Sequence, residues 1–227
     1  MPFISLVIPA LNEEQVLAGV LADLPAALYS QVLVADNGST DRTAQVAAAA
    51  GATVVLEQRR GYGSACLAAL ARLDPRAEIV VFMDADGSDV AGEAAALVEP
   101  IVADRADLVI GSRVLGRAER GALQPHQRFG NWLATYLFRV LYGFRCTDLG
   151  PFRAIRAASL RQVDMQDRNF GWTVEMQAKA LRHGLRVIEV PVNYRRRRAG
   201  ESKVSGNLMA SLRAGQVILT TIWRLRL

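Results

Sequence analysis

Asp84 and Asp86 stand two residues apart at the end of an apolar run, Val80-Val81-Phe82-Met83, and are followed by Gly87 and Ser88. In an extended segment side chains two apart point the same way, so both carboxylates can face one ligand where a strand stops. Two such charges repel unless a cation lies between them. Hard divalent ions such as Mg²⁺ take oxygen ligands and share them with a substrate's phosphates. A solvated turn closed by Asx-type hydrogen bonds uses the same residues with no metal, and the pair alone does not separate the two readings.

Three other clusters carry chemistry-bearing side chains: Pro9-Ala10-Leu11-Asn12-Glu13-Glu14, Asp36-Asn37-Gly38-Ser39-Thr40-Asp41 and Arg59-Arg60-Gly61-Tyr62-Gly63. Asn12 suits a helix N-cap and the two glutamates suit a first turn, but the same polar groups could recognise a nucleobase. Asp36 could close an Asx turn ahead of Ser39 and Thr40, or pair with the N–H groups of a base. Gly61 and Gly63 permit close backbone approach at a helix start, where anions are attracted, so a ribose or diphosphate contact stands beside a plain helix start. The segment is neither a dinucleotide fingerprint nor a Walker loop, because the third glycine and the Gly-Lys-Ser/Thr ending are missing.

The elements that must position these residues can be read from hydrophobic pattern. Strands are expected at 3–8, 31–36, 53–56, 78–83 and 107–111, with helices near 12–24, 40–50, 62–73 and 92–104. Short apolar strands alternating with longer helices imply an α/β fold with a mainly parallel sheet flanked by helices. Ligands of such sheets bind outside the carboxyl ends of the strands. All four polar clusters fall at such ends, and their convergence is stronger than any one motif. The second half is expected to hold helices at 125–142, 156–163 and 172–183, a strand at 185–190, and a helical tail.

Half of the 227 residues are apolar, enough for one substantial core. The formal charge is +5, with arginines crowding 113–128 and 195–203, which points to an anionic partner. Aromatics suitable for base stacking are sparse near those arginines, so nucleic acid is not expected. Cys66 and Cys146 make no disulfide framework, and His126 and His183 lack zinc-ligand spacing. No Gly-x-Ser-x-Gly elbow supports serine hydrolase chemistry. The opening residues read as a strand rather than a signal peptide. The most apolar tail stretch, 214–223, is about half the ~20 residues of a spanning helix. A cytoplasmic protein is the expectation.

Two features of the tail suggest a membrane surface. The run Tyr194-Arg195-Arg196-Arg197-Arg198-Ala199-Gly200-Glu201-Ser202-Lys203 could gather phosphates, although a charge run is often only a solvated loop. After it, Leu208, Leu212, Leu219, Ile222 and Trp223 fall near helical spacing beside Arg213, Arg224 and Arg226, as suits an interfacial helix on an anionic leaflet. The alternatives are packing on the rest of the chain or a dimer contact. The expected division is a domain over 1–203 and an amphipathic tail over 204–227.

Taken together, the motifs resemble glycosyltransferase family 2 with its GT-A nucleotide-sugar fold. The resemblance rests on Pro9-x-x-Asn12-Glu13, Asp36 to Asp41, Gly61-x-Gly63-x-Ala65, Asp84-x-Asp86 and Gly111-Ser112-Arg113. It continues through Arg128/Asn131, Asp148-x-Gly150-x-x-Arg153, Gly171-Trp172-x-x-Glu175 and the 195–203 segment. Within the family the chain looks most like the polyprenyl-phosphate sugar synthases of the dolichyl-phosphate mannose synthase type. The resemblance implies that Pro9, Asn12, Glu13 and Asp36, with Gly61 and Gly63 alongside, hold a UDP- or GDP-hexose donor. It implies that Asp84 and Asp86 hold Mg²⁺ or Mn²⁺ on the donor diphosphate. Ser88 stands where those synthases commonly carry glutamine and is the third metal-site candidate. Arg113, Arg128, Arg198, Ser202 and Lys203 would face donor and acceptor phosphates.

The implied reaction is transfer of a hexose, with inversion, to an anionic acceptor such as a polyprenyl phosphate. A phosphate monoester needs no general base, because its second ionisation lies near pH ~6. Asp148 is the candidate base for a hydroxyl acceptor, or a positioning residue for a phosphate; a turn residue before Gly150 is its bland alternative. A family 2 enzyme with a soluble hydroxyl acceptor, and a nucleotide-binding module without catalysis, are the competing functions. A homo-oligomer is compatible with the sequence.

Overall fold

Every residue of the strand Ile4–Ala10 (β1) is buried, on both faces, the signature of a central strand in a covered sheet. The computed structural model describes residues 1–198 and 208–226, with side chains over 1–198 and 215–226. Within them, the strands are β1, Gln31–Asp36 (β2), Thr53–Leu56 (β3), Ile79–Phe82 (β4), Leu108–Ser112 (β5), Arg153–Arg156 (β6) and Val187–Pro191 (β7). Together they form one sheet in the order β3-β2-β1-β4-β6-β5-β7. The helices are Leu17–Ala22 (α1), Thr43–Ala49 (α2), Tyr62–Leu70 (α3), Ala94–Val102 (α4), Pro125–Tyr142 (α5), Ala157–Val163 (α6), Trp172–Arg182 (α7) and Leu208–Arg224 (α8).

The first half follows the expected alternation, and β1 pairs in parallel with both β2 and β4. The alternating side chains of β1 feed two cores. Leu6 and Ile8 join Val34, Val81, Leu97 and Ile101 on one face, while Val7 joins Leu33, Phe82, Ile110 and Trp172 on the other. Phe82 and Trp172 meet edge to face at 5.9 Å.

Two departures from expectation matter. β6 was not anticipated, and it lies antiparallel between β4 and β5. This carries the Asp148–Pro151 loop to the same sheet edge as the end of β5. Arg153 at its start is fully buried, and its guanidinium donates to the carbonyls of Leu149, Gly150 and Thr173. Burial lowers its pKa to about 10. The second departure is at 12–24, where the helix begins only at Leu17. Asn12 takes a left-handed backbone, φ 54°, and residues 12–16 turn instead.

The tail helix folds back on the chain. Ile218, Ile222 and Leu225 pack with Phe138, Val174 and Ala178 between α5 and α7, and the Tyr142 hydroxyl donates to the Ile222 carbonyl at 2.9 Å. Ile222 is therefore turned into the protein, as in the alternative of packing on the rest of the chain, while Trp223 stays exposed. The side chains of Leu208 and Leu212, and the expected 203/204 boundary, lie outside the described residues. Among the described residues no helix is long and apolar enough to cross a membrane.

Candidate active site

A cavity of about 510 Å³ opens where β1, β2 and β4 end. Its walls include Pro9, Glu13, Asn37, Gly61, Tyr62, Asp84 and Asp86, so three of the four polar clusters meet there with the glycine loop. The second half of the chain adds Arg113, Gln127, Pro151, Phe170, Tyr194 and Arg197 to the lining.

Asp84 and Asp86 are both partly buried, and both line this cavity. Tyr62 donates its hydroxyl to Asp84 Oδ1 at 3.1 Å, and Asp89 Oδ2 accepts the backbone N–H of Asp84 at 3.0 Å. Burial, and then the charge of Asp86, push the Asp84 carboxyl up to about 7. Asp86 Oδ1 accepts from the Ser88 N–H and hydroxyl at 2.9 and 2.5 Å. Ser88 is 2% exposed and does not line the cavity. Its hydroxyl, expected at the metal site, donates to Asp86. Among the described residues no cluster of three or more His, Cys, Asp or Glu is arranged to hold an ion. A pair of mutually repelling carboxylates nonetheless fits a divalent cation whose remaining positions are filled by phosphate oxygens and water.

Arg113 is the fixed cation of the site. Asp148 Oδ2 accepts its backbone N–H at 2.8 Å and its Nε at 2.7 Å, while Oδ1 accepts Nη2 at 2.7 Å. Leu149 N–H donates to the same carboxylate at 2.8 Å. Asp148 is wholly buried and does not line the cavity, so its acceptor capacity is spent on fixing Arg113. Burial opposes the Arg113 charge, yet Asp148 outweighs it and raises the pKa. The guanidinium also stacks over Tyr194, 5.0 Å from the ring centre. The loop that carries Asp148 is itself clamped. Glu189 on β7 accepts the N–H groups of Thr147 and Asp148 at 2.9 Å, and Asn131 on α5 bonds Thr147 O and Leu149 N.

A second cation comes from the arginine run. Residues 194–198 lie across the acidic turn, with Arg195 N–H donating to Ser88 O at 2.8 Å and Arg198 N–H to Asp86 O at 3.3 Å. Arg197 reaches into the cavity, where it pairs with Glu13 and stands 3.4 Å from Asp86 Oδ2. Sequence reasoning had singled out Arg198, which turns outward to Asp23. One arginine in a run of four looks like another; only the strand pairing that lays the run over Gly87 distinguishes them.

Several expected contacts are spent on local structure. Asn12 Oδ1 accepts the Thr40 N–H at 2.8 Å, and Asp36 Oδ1 accepts the Ser39 N–H at 2.8 Å. The first bond ties the loop after β1 to the loop after β2, the second closes the β2 loop on itself, and neither residue lines the cavity; Asn37 does. Asn37 in turn holds the glycine loop through Arg59 O and Gly61 N. Gly61 lines the cavity, whereas Gly63 serves packing: a Cβ there would lie 2.0 Å from Asp167 O. Arg128 stands exposed on α5, and its neighbour Gln127 faces the cavity. Ser202 and Lys203 lie outside the described residues. Tyr62, flanked by two glycines, was quoted in the sequence without a role because nothing local reveals its bond to Asp84.

Comparison with known proteins bears on family and fold. The model of the family described as glycosyl transferase family 2 matches residues 5–164. An uncharacterized glycosyltransferase of Mycobacterium tuberculosis is 41% identical over 211 residues, covering 92% of this chain and 93% of the relative. An undecaprenyl-phosphate mannosyltransferase of Micrococcus luteus is 32% identical over 231 residues, covering 96% of this chain and 93% of the relative. Among solved structures, glucosyl-3-phosphoglycerate synthase from M. tuberculosis, in complex with Mn²⁺, UDP and glucosyl-3-phosphoglycerate, superposes with a TM-score of 0.77. Its identity is 23%, with 99% of this chain and 80% of the other covered, a likeness of fold.

Proposed function

Since the chain belongs to glycosyl transferase family 2, we propose that it moves a hexose from a nucleotide-diphosphate sugar to a polyprenyl phosphate, with inversion and with Mg²⁺ or Mn²⁺. The observation that carries this reading is the composition of the cavity. It sets three carboxylates, Glu13, Asp84 and Asp86, among three arginines, Arg60, Arg113 and Arg197, the mixture that a metal-bound diphosphate and an anionic acceptor call for.

The residues divide the work as follows. Asp84 and Asp86 would hold the divalent ion, which when bound stabilises the negative charge of the departing diphosphate. Tyr62 fixes the Asp84 carboxylate for that purpose. Pro9, Glu13, Asn37 and Gly61 surround the space for the nucleoside; Asn12 and Asp36 support those loops from behind. Arg113, locked by Asp148, presents an immobile positive charge to developing phosphate charge, the kind of preorganisation that is worth most in a partly dry site.

The arginines of the cavity support a phosphate acceptor. An alcohol must lose a proton as it attacks, and Asp148, the expected base, is committed to Arg113. A phosphate monoester arrives ionised near pH 7 and would use the cations alone. Asp148 is then a positioning residue. A lipid-linked acceptor places the enzyme at a membrane surface for turnover, and the 32% identical mannosyltransferase relative has an undecaprenyl phosphate in its name.

The test is a transfer assay with the full chain, Mn²⁺, and UDP- or GDP-hexose labelled in the sugar. Label passing to a short-chain polyprenyl phosphate, and not to 3-phosphoglycerate, is the expected result. Transfer to the soluble hydroxyl acceptor with equal efficiency would overturn the lipid reading, and metal-dependent nucleotide binding with no transfer to either would favour a binding module.

A further inference from the structure

We infer that the outer face of α5 docks on an anionic lipid bilayer, and that this face, not the apolar side of the tail helix, is the membrane-facing surface of the protein. α5 is apolar on two opposite sides. Ala134 and Phe138 point inward and are buried against α7 and α8. Phe129, Trp132, Tyr136 and Val140 follow one another at spacings of three and four on the other side, and each is more than half exposed. Their rings form a continuous ridge: Phe129 lies 5.8 Å from Trp132, and Trp132 stacks 6.1 Å from Tyr136. A surface helix ordinarily shows one apolar stripe and a polar opposite face, so this ridge asks for a partner.

The chemistry of the ridge selects the partner. Tryptophan and tyrosine prefer the headgroup level of a bilayer, where an amphipathic ring meets both phases. Arg128 and Arg139 flank the ridge on one side, and residues 125–142 contain no Asp or Glu, which suits an anionic leaflet. A second copy docked about a two-fold axis would set that basic flank against itself with no carboxylate to meet it. Position argues the same way. Gln127 lines the cavity two residues before Phe129, so the ridge starts at the cavity's edge, where a lipid-borne acceptor would enter. The lipid-acceptor reading supplies only the reason for such a surface; docking can be tested without it.

The test is cosedimentation of the full chain with vesicles of phosphatidylcholine alone or mixed with phosphatidylglycerol, neither containing polyprenyl phosphate. The protein should bind the anionic vesicles, less at high salt, with a blue shift of tryptophan emission. Trp132→Ser/Tyr136→Ser should weaken binding by about tenfold or more, whereas Trp223→Ser should change it little. Unchanged melting temperature and unchanged Mn²⁺-dependent nucleotide binding confirm that the double variant is folded. Equal vesicle binding by that folded variant overturns the proposal, as does no binding by the wild-type protein. So does a solution dimer, seen by light scattering, that the double variant converts to monomer. Vesicle docking with no sugar transfer to polyprenyl phosphate would leave the surface standing and sink the acceptor instead.

Discussion

Asp86 is the carboxylate whose removal separates chemistry from folding most cleanly. It lines the cavity and contacts Arg197, while its other oxygen is braced by Ser88. Asp86→Asn keeps the shape and removes the charge, so kcat should fall by about 10²-fold or more, with the melting temperature within a few degrees of wild type. Loss of fold in that variant would reveal a structural carboxylate. Asp148 makes a different prediction. If it acts through Arg113, then Asp148→Asn and Arg113→Lys should each lower kcat by about 10- to 100-fold, and the double variant should be little worse than either. The pH–rate profile of Asp148→Asn should keep its wild-type shape; loss of the acidic limb would restore the general-base role. At this scale the sequence revealed residue types better than residue duties. The Asp pair and Glu13 could be placed from their position at strand ends, as could the turn that Asp36 closes on Ser39, but the bond from Thr40 to Asn12 joins two loops that only the fold brings together.

Among the elements, the parallel half could be read because each strand is a short apolar run between helical patterns, as in 31–36 and 79–82. β6 escaped because Arg153-Ala154-Ile155-Arg156 places charges at both ends of a four-residue strand, and a fully buried arginine contradicts composition rules. Its carbonyl partners, spread over Leu149 to Thr173, exist only after folding. At the opposite end of the sheet, the starts of β5 and β7 are joined by Asp107, which accepts the Arg186 N–H and side chain at 2.9 to 3.0 Å. Those side-chain hydrogen bonds hold the Asp107 carboxyl down at about 2. A depressed pKa stabilises the fold at pH values above the unfolded value of ~3.9 and ceases to do so as pH falls through the folded one. Asp107→Asn should therefore cost about 1 kcal/mol at neutral pH, a figure kept small by solvent screening. Urea unfolding curves of wild type and variant should converge as pH is taken from about 4 towards 2; a gap that persists there would locate the stability elsewhere.

For the molecule as a whole, donor binding must rearrange charge that is already satisfied. Arg197 occupies the acidic side of the cavity in the free protein, so a divalent ion alone would displace one cation with another and gain little. A nucleoside diphosphate arriving with the ion offers that guanidinium a new anion. Mn²⁺ together with UDP or GDP should then raise the melting temperature by several degrees, through the usual linkage of binding to stability. Either component alone should do much less, and EDTA should cancel the shift. An equal shift from Mn²⁺ alone would show that the ion has its own complete cage. The helix α5 joins the two halves of this picture. It turns its aromatic rings outward and sends Asn131 inward to the loop that anchors Arg113. A rigid rod cannot be pushed on one side without moving what is fastened to the other, so any load borne by those rings is transmitted to the arginine.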